Sequence, residues 1–306
     1  MSYSVASGFP QQAGIMIPEI WSSKILLKFY DSTVFGSIAN TDYEGEIKNQ
    51  GDTVHIRTTP SITIREHVKG QQLNYETPQP TLVDLVIDKG RYWAFTTDDV
   101  DMAQADYNYT EDWTRDASEQ LKINIDTHIL ANIYSAVHAS NAGATAGVKS
   151  AGFNLGVTGT PVQLTKANVV DYIVDMGAVL DEQSVPENSR FVVLPPWACN
   201  LIKKSDLKDA SLAGDGTSIL RNGRVGMIDR FEIYMSNLLD TTVDGANTVT
   251  NMIFGQKTAL TFASQLLKNE GPMRSEKAFG DLYRGLQVFG YKVVKPEALG
   301  HFYAYK

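Results

Sequence analysis

The chain has 306 residues, of which 43% are apolar and 20% are charged, and its formal net charge is −8. This composition suffices for one large or two small packed domains. It excludes disorder of the whole chain, because apolar runs recur throughout. The negative charge argues against a protein that grips nucleic acid, since phosphate contacts require a basic surface.

Nothing in the sequence directs the chain to a membrane or out of the cell. No segment approaches the roughly 20 consecutive apolar residues that span a bilayer. The first residues, MSYSVASGFPQQAG, lack the basic and apolar regions of a secretory signal. The single cysteine, Cys199, excludes an intramolecular disulfide framework and is expected to be a small core residue. We therefore expect a soluble protein that is intracellular when it is made.

The first 50 residues predict an arm rather than a domain. The run IPEIWSSKILLKFY, residues 17–30, has the spacing of an amphipathic helix, with Ile20, Lys24 and Leu27 on successive turns. An irregular stretch follows and ends in YEGEIKNQGDTVHI. Such a segment cannot bury both of its faces alone.

Residues 51–95 predict two extended strands with a long polar connection between them. Apolar and polar residues alternate in TVHIRT, and in LVDLVIDKGRYWAF the side chains of Val83, Leu85 and Ile87 share one face. The connection, at 65–80, is about 15 residues long, which is uncommon in compact proteins. A two-stranded ribbon is not stable alone. It therefore needs a supporting surface that nothing nearby in the chain supplies.

The clearest periodic signal lies between residues 98 and 139. It predicts a helix with Thr96 or Thr97 as its N-cap and acids in its first turn. A continuous helix of this length would be about 60 Å long, whereas a compact domain of this size is about 40 Å across. The run DYNYT, residues 106–110, can interrupt it, but the second half is still long, so we expect an elongated or flat molecule. Its apolar stripe consists of Trp113, Ala117, Leu121, Ile125, Ile129, Ile133 and Val137.

A small, glycine-rich loop at 139–160, expected to be flexible, leads into a second globular unit. The run TKANVVDYIVDMGAVLDEQSVP predicts an amphipathic helix with Thr165 as N-cap and Pro186 beyond its end. RFVVLPP, RFEIYMS and TVTNMIFG are predicted strands, WACNLIKKS is a predicted short helix, and SLAGDGTSILRNGRVG is a predicted loop. KTALTFASQLLK, residues 257–268, fits a helix and a strand equally. The tail at 277–306 predicts strands that close a sheet.

No recognised catalytic or metal-binding motif is present in the sequence. It contains no GxSxG, HExxH, P-loop, GxGxxG or paired CxxC pattern. The five histidines have no ligand spacing and are scattered at His55, His67, His128, His138 and His301. We therefore expect no catalytic residue, no metal and no cofactor.

Two groups of acidic residues could be interpreted as cation-binding sites, but both have simpler explanations. Asp98, Asp99, Asp101 and Asp106 are expected to complement a helix dipole in a solvated first turn. Asp215 in AGDGTS lacks the remaining acids of a calcium loop, so we expect it in a turn.

The turn Gly223-Arg224-Val225-Gly226 matches the GXXG pattern with which KH modules clamp a nucleic-acid backbone. In those modules the loop joins two helices, whereas the run after Gly226 alternates like a strand. A loop that enters a strand is therefore favoured over a nucleic-acid grip. From the residues alone, the chain is an elongated, mixed α+β protein without visible catalytic equipment.

Five runs, spread from about residue 17 to 297, carry a resemblance through their shared order, although no single run is diagnostic. The runs are IPEIWSSKILLKFYDSTVFGSIANTDYEGEIKNQGDTVHI, VLDEQSVPENSRFVVLPPWACNLI, GRVGMIDRFEIYMSNLL, GQKTALTFASQ and GYKVVKPEAL. In this order they resemble the major capsid (coat) proteins of tailed bacteriophages, and most of all those of podovirus-like phages. The resemblance implies the Hong Kong-phage-type capsid fold.

The resemblance implies five segments within this α+β fold. Residues 1–50 correspond to the N-terminal arm, 51–95 to the extended E-loop, and 96–140 to the peripheral (P) domain with its spine helix. Residues 141–265 correspond to the axial (A) domain, and 266–306 return to the P domain. In such proteins the E-loop lies across a neighbouring subunit. This accounts for the unsupported ribbon, the overlong helix and the missing active site.

The function implied by the resemblance is structural and not enzymatic. The chain would self-assemble, in the host cytoplasm, into pentamers and hexamers of an icosahedral virion shell that encloses double-stranded DNA. Arg65, Glu66, Lys69 and Arg224 are the candidate inter-subunit contacts. Without a long acidic helical N-terminal extension, a separate scaffolding protein is implied, together with a portal and optionally a decoration protein. The acidic balance fits DNA that is held weakly.

Two alternatives stay open at this point, and one family feature is not expected. An encapsulin-like compartment would share the fold and differ in its cargo. A nucleic-acid-binding module would use the turn at 223–226. Some family members crosslink an E-loop lysine to an asparagine of a neighbour. Lys69 lies in the loop, but no motif around an asparagine partner matches, so we expect no crosslink.

Overall fold

The structure, a computed structural model, describes residues 30–42, 53–105, 109–205, 226–276 and 278–306. The helix predicted at 17–30 lies outside these residues apart from Tyr30, and so does nearly all of the predicted loop before residue 226.

The first half of the described chain holds a short helix, a hairpin, a long strand and a long helix. The helices are α1 (Phe35–Ile38), α2 (Asp99–Gln104) and α3 (Thr110–Ile133), and a 3-10 turn (Tyr134–Ala136) extends the last one. The strands are β1 (Thr53–Arg57), β2 (Leu82–Val86) and β3 (Lys89–Asp98).

The second half is mostly strand. Its helices are α4 (Val169–Glu182) and α5 (Pro196–Lys204). Its strands are β4 (Val162–Gln163), β5 (Arg190–Leu194), β6 (Met227–Ile228), β7 (Phe231–Met235), β8 (Thr241–Asp244), β9 (Asn247–Gln256), β10 (Leu260–Arg274), β11 (Gly280–Val293) and β12 (Leu299–Tyr305). The ambiguous run at 257–268 is therefore a 3-10 turn followed by strand, and the tail forms strands as predicted.

Three sheets organise these strands. β1 and β2 form an antiparallel hairpin, and β10, β11 and β3 form a three-stranded antiparallel sheet in that order. A mixed sheet has the order β4-β12-β9-β5-β7-β6, with β8 paired to β9. Its parallel pairs are β5 with β7 and β4 with β12. One large apolar core joins the mixed sheet to α3, α4 and α5.

The returning run at residues 82–98 is two strands rather than one. β2 pairs with β1, whereas β3 pairs with β11, so the chain changes sheets at Ile87 and Asp88. The predicted apolar face is confirmed, because Leu85 and Ile87 are buried together with Ile56 and with Ala263 of β10. This small cluster packs the base of the hairpin onto the three-stranded sheet.

The long helix begins later than predicted and is interrupted. Thr96 and Thr97 belong to β3, where they pair with β11, so neither is an N-cap. Asp98 caps α2 by accepting the N–H of Val100 at 2.8 Å. The helix at 98–139 is therefore replaced by α2 and α3, and the 24 residues of α3 are about 36 Å long. The stripe from Leu121 to Ile133 is buried as predicted, whereas Trp113 is largely exposed and Val137 lies past the helix.

Asp126 of α3 anchors the residues before β1 to the helix. Its carboxylate oxygens accept the N–H groups of Val34 at 3.0 Å and of Phe35 at 2.9 Å. The side chain is buried, and burial raises its pKa although the two backbone bonds act in the opposite direction. Ten residues nearer the start of α3, Asp116 accepts the Tyr30 hydroxyl at 3.0 Å. Residues 30–34 therefore run parallel to α3, with Tyr30 nearer the start of the helix.

Helix α4 also begins later than predicted. Its N-cap position is Asn168 and not Thr165. The Asn168 side chain accepts the Thr165 N–H at 2.7 Å, and the Thr165 carbonyl accepts the Val169 N–H at 3.1 Å. The glycine-rich loop before this helix is tied to β12, because the buried Asn141 donates to the carbonyl of Leu299 at 2.9 Å.

A buried arginine holds the end of α4 against β5. The Arg190 guanidinium donates to the carbonyls of Gly177, Val185 and Pro186 and to the carboxylate of Asp181. Burial raises the pKa of Asp181, but hydrogen bonds from Arg190 and Arg230 outweigh this and hold it below its ordinary value.

Candidate assembly surfaces

The long connection between β1 and β2, residues 58–81, lies in solvent. Its ends meet where the Thr58 N–H donates to the Thr81 carbonyl at 2.9 Å. From residue 61 to residue 82 every side chain is exposed, and none of these residues up to Thr81 belongs to a helix or strand. We call this segment the extended loop.

Three of the four predicted contact residues, Arg65, Glu66 and Lys69, lie in the extended loop, and their contact with another subunit stays a prediction. Glu76 accepts the Thr63 N–H at 2.6 Å and lies 3.8 Å from the Arg65 guanidinium, so the two sides of the loop are linked. The tip is a turn in which the Gln71 N–H donates to the Val68 carbonyl at 3.0 Å. Glu66 and Lys69 are exposed beside or within this turn. Arg224 lies outside the described residues.

The extended loop is more apolar than the sequence interpretation allowed. Ile64 is 90% exposed and Tyr75 is 87% exposed. The alternation of isoleucine and polar residues in SITIREHV, at 61–68, is the signal that would have indicated this surface. Contiguous exposed apolar side chains mark interaction sites. The exposed apolar side chains of the loop are Ile62, Ile64, Val68, Leu73 and Tyr75.

A second exposed apolar group lies at the tip of the three-stranded sheet. Met273 and Leu282 face each other across β10 and β11, and Phe279 in the connecting turn is 85% exposed. Beside them, Arg274 makes a two-pronged ion pair with Asp99 at 2.6 and 2.7 Å.

The acidic cluster has partners within the protein. Asp98 caps a helix and Asp99 binds Arg274, so helix-dipole complementation is only part of the explanation. Asp106 and Asp215 lie outside the described residues. Within the described ranges, no group of three or more His, Cys, Asp or Glu side chains is arranged to hold a metal ion.

Two side chains that could react or titrate, Cys199 and His301, are packed inside the protein. Cys199 is buried, and burial raises its pKa to about 11, so the thiol stays protonated at neutral pH. His301 stacks on Tyr134 with 5.1 Å between ring centroids, and its Nε2 lies 3.0 Å from Asn251 Oδ1. Burial lowers its pKa to about 4.

The strand predicted after Gly226 is confirmed. The Gly226 carbonyl accepts the Ile233 N–H at 3.2 Å, and β6 pairs with β7 in a tight hairpin. The other three residues of the GXXG turn lie outside the described residues.

Residues 83–302 match the family model described as phage capsid protein. The chain belongs to this family. A solved structure from Mycobacterium phage Che8 has 28% sequence identity and a TM-score of 0.77, over 94% of this chain and 97% of that one. The capsid structure of Cyanophage P-SCSP1u has 17% identity and a TM-score of 0.73, over 94% and 93% of the two chains. No curated protein sequence matches this one.

These matches confirm the phage major capsid fold predicted from the sequence. The mature capsid of bacteriophage PhiM1 gives a third likeness, with 16% identity, a TM-score of 0.66, and coverage of 94% of this chain and 91% of that one. The chain is a capsid shell protein, so its family and fold are structural and its copies associate with one another in a virion capsid. The matches give no support to an encapsulin-like compartment or to a nucleic-acid-binding module. Within the described residues, no helix is long and apolar enough to cross a membrane.

Proposed function

We propose that this capsid protein forms pentamers and hexamers of an icosahedral shell that encloses double-stranded DNA, and that each extended loop lies on a neighbouring subunit. The observation that carries the proposal is the row of exposed apolar side chains on a loop that its own chain leaves uncovered. A row of exposed apolar side chains of this kind marks a site of interaction with another molecule.

The energy of one such contact favours a closed assembly over an isolated pair. Burying a Val, Leu or Ile side chain contributes about 1.5–3 kcal/mol. The five side chains of the loop therefore contribute about 7–15 kcal/mol at most. Association opposes this with about 4–15 kcal/mol of lost translational and rotational freedom. One loop alone binds weakly, and a ring in which every subunit both gives and receives a loop is stable.

The same proposal assigns a structural role to each of five segments of the chain. Residues 1–50 form the N-terminal arm, 51–95 the E-loop, 96–140 the P domain with its spine helix, 141–265 the A domain around the capsomer axis, and 266–306 the return to the P domain. The change of sheets at Ile87 and Asp88 supports a boundary near the base of the loop. Arg65, Glu66 and Lys69 at the loop tip, and Arg224, are the proposed polar contacts.

Further partners belong to the proposal as well. A separate scaffolding protein would guide assembly in the host cytoplasm, a portal would occupy one vertex, and a decoration protein is optional. The packaged DNA would be held weakly, and the net charge of −8 supports this because phosphate binding needs a basic surface.

The test compares loop variants in shell formation. Ile64→Ser combined with Tyr75→Ser should abolish shells seen by negative-stain microscopy and sedimentation, with the scaffolding protein of the same phage present. The melting temperature of the unassembled subunit should stay the same, because both side chains already lie in solvent. Gln72→Ser, on the same loop, is the control and should assemble normally.

Two results would refute the proposal. One is a normal yield of shells from the double variant. The other is a wild-type protein that remains a 33.7 kDa monomer at high concentration with scaffolding protein present.

A further inference from the structure

The extended loop continues the register of the hairpin at its base. Every pair of residues in the ladder of β1 and β2 has residue numbers with the same sum, as in Arg57 with Leu82. The first contact beyond the ladder has that sum too, because the Thr58 N–H donates to the Thr81 carbonyl at 2.9 Å. The register of the hairpin therefore extends into the loop.

Contacts in the middle and at the tip of the loop have the same register. Thr63 donates its N–H to the Glu76 carboxylate at 2.6 Å, and these two residue numbers have the same sum as the pairs of the ladder. So do those of Val68 and Gln71, which close the tip with a hydrogen bond of 3.0 Å. The loop is therefore laid out as one hairpin from base to tip, although none of its residues belongs to a strand.

The hydrogen bonds at the two ends of the loop also have the same phase. In an antiparallel ladder, hydrogen-bonded pairs alternate with pairs that are not hydrogen-bonded. Thr58 and Val68 are an even number of residues apart, and each is bonded to the residue opposite it, so a ladder can close between them without a slip. Pro78 and Pro80 fall in pairs whose N–H groups point away from such a ladder, where proline is tolerated. Pro60 removes a single bond.

In this register, the five exposed apolar side chains of the loop share one face. Side chains of a strand alternate between the two faces, and residues directly opposite each other point to the same face. Ile64 is opposite Tyr75, and Ile62, Val68 and Leu73 follow by the alternation. We call this side the apolar face. The other face, between residues 61 and 76, carries Ser61, Thr63, Arg65, His67, Gln72, Asn74 and Glu76.

The base of the hairpin shows how the apolar face packs. Ile56 and Leu85 lie on this face, and both are buried with Ala263 of the three-stranded sheet. The opposite face is exposed there and carries charge, with His55 Nδ1 2.7 Å from an Asp84 carboxylate oxygen. The apolar side chains of the loop therefore continue, into solvent, a face that is already a packing surface at its base.

We propose that the apolar face of the extended loop docks on a second copy of this chain, and that docking closes residues 58–81 into a two-stranded ribbon in the register of β1 and β2. A second copy is the partner because copies of this protein associate in the capsid, and because the described part of its own chain leaves the face uncovered. The partner would stabilise a ribbon that is not stable alone.

The inference rests on the proposed shell function and specifies the face and the conformation in which the loop binds. Of the proposed polar contacts, Glu66 falls on the apolar face in this register. Arg65 falls on the other face, so its long side chain would reach the partner only around the edge of the ribbon.

The first test compares cysteines on the two faces, in a Cys199→Ala background. Leu73→Cys lies on the apolar face and Asn74→Cys on the other, and both positions are exposed in the unassembled subunit. In purified shells a maleimide should label position 73 about tenfold more slowly than in unassembled subunits, because thiol reactivity requires access. The rate at position 74 should stay the same. Ile62→Cys and Ser61→Cys repeat the comparison on the other strand.

Two labelling outcomes would overturn the proposal. One is equal labelling of the two faces in shells. The other is protection of positions 62 and 73 already in unassembled subunits, which would make the same chain the occupant. Loss of shell formation confined to the variants at 62 and 73 would support the proposal, because it places the contact on the same face.

The second test locks the register with a disulfide. Thr63→Cys and Glu76→Cys are opposite each other, whereas Thr63→Cys and Asn74→Cys meet only after a slip of the strands. In a glutathione buffer, unassembled subunits should form about tenfold more disulfide with the first pair than with the second. Oxidation should leave shell formation intact for the first pair and abolish it for the second. Equal disulfide yields, or normal shells from the oxidised slipped pair, would refute the register.

Failure of this inference is distinguishable from failure of the shell function. If the wild-type protein formed no shells, the shell function would fail, and the disulfide yields in unassembled subunits would still decide the register. If shells formed and both faces were labelled alike, only the docking face proposed here would be wrong.

Discussion

Mild acid should destabilise the subunit through one histidine. Asn251 donates its amide N–H to Asp240 at 3.0 Å, so its oxygen faces His301 and the imidazole must donate from Nε2. Burial among Tyr134, Tyr303 and Asn251 lowers the pKa of His301 from 6.5 to about 4. The folded protein therefore holds this ring neutral while the unfolded chain protonates it.

The size of the effect follows from that gap. The contribution of His301 is fully present above pH 6.5, declines as the pH falls, and is gone below the folded pKa of about 4. A gap of about 2.5 pH units corresponds to about 3 kcal/mol in total and to about 2 kcal/mol at pH 5. The loss at pH 5 is a large part of a typical domain stability of about 5–15 kcal/mol.

The assay is urea unfolding of unassembled subunits at pH 7 and pH 5, for the wild type and for His301→Gln. Glutamine keeps an N–H donor for Asn251 and does not titrate. The wild type should lose about 2 kcal/mol more than the variant between the two pH values. Other groups, including Asp126, titrate in both proteins and cancel in the comparison. Equal losses in the two proteins would refute the reasoning. Unassembled subunits are needed because shell contacts add stability of their own.

Three further predictions concern stability and use the same urea assay at pH 7. Asp126→Ala removes the acceptor of two buried N–H groups and should cost about 2–4 kcal/mol; a loss below about 1 kcal/mol would contradict the anchoring role. Arg190→Ala removes the donor for a buried set of carbonyls and for the Asp181 carboxylate, and it should cost about 3–5 kcal/mol. Arg230→Ala breaks a more exposed ion pair to the same carboxylate and should cost under about 1 kcal/mol. Gly300→Ala places a methyl 2.1 Å from a buried phenylalanine ring and should cost about 1–3 kcal/mol. The control Gly36→Ala has open space around it and should be neutral or slightly stabilising. Equal costs for the two variants would contradict this prediction, because the core would then have adjusted to the methyl.

Local sequence patterns correctly predicted the helices and strands whose conformation does not depend on pairing with a distant segment. The stripe on α3 specifies a buried face from Leu121 to Ile133, and that information is periodic. The alternation in β7 identifies the strand, although only Phe231 of its apolar residues is fully buried. Long-range pairing decided the elements that were mispredicted. Thr96 and Thr97 are good N-cap residues, but β11 holds them in a strand from more than 180 residues away. The same strand resolves the ambiguity of 257–268, since β10 is an extended strand paired with it along most of its length.

The candidate surface was predictable in position and only partly in chemistry. The length and placement of the extended loop identified it as a projecting segment. The sequence pattern predicted contacts at the charged residues Arg65, Glu66 and Lys69, because most residues of the connection are polar. It did not indicate that Ile64 and Tyr75 are exposed. Contacts between copies leave no periodic signal within one chain. Such contacts can be proposed from exposure only after the fold is known.

The short junction at Ile87 and Asp88 couples the orientation of the hairpin to that of the three-stranded sheet. Only two residues separate β2 from β3, and the apolar cluster that includes Ile56 and Leu85 packs the base onto the sheet. We therefore expect the hairpin to turn together with the three-stranded sheet. Five paired residues extend about 17 Å. A rotation of about 10° would therefore move the far end of the paired part by about 3 Å. In the proposed shell of pentamers and hexamers, we expect such displacements to be absorbed by residues 58–81 rather than by the base.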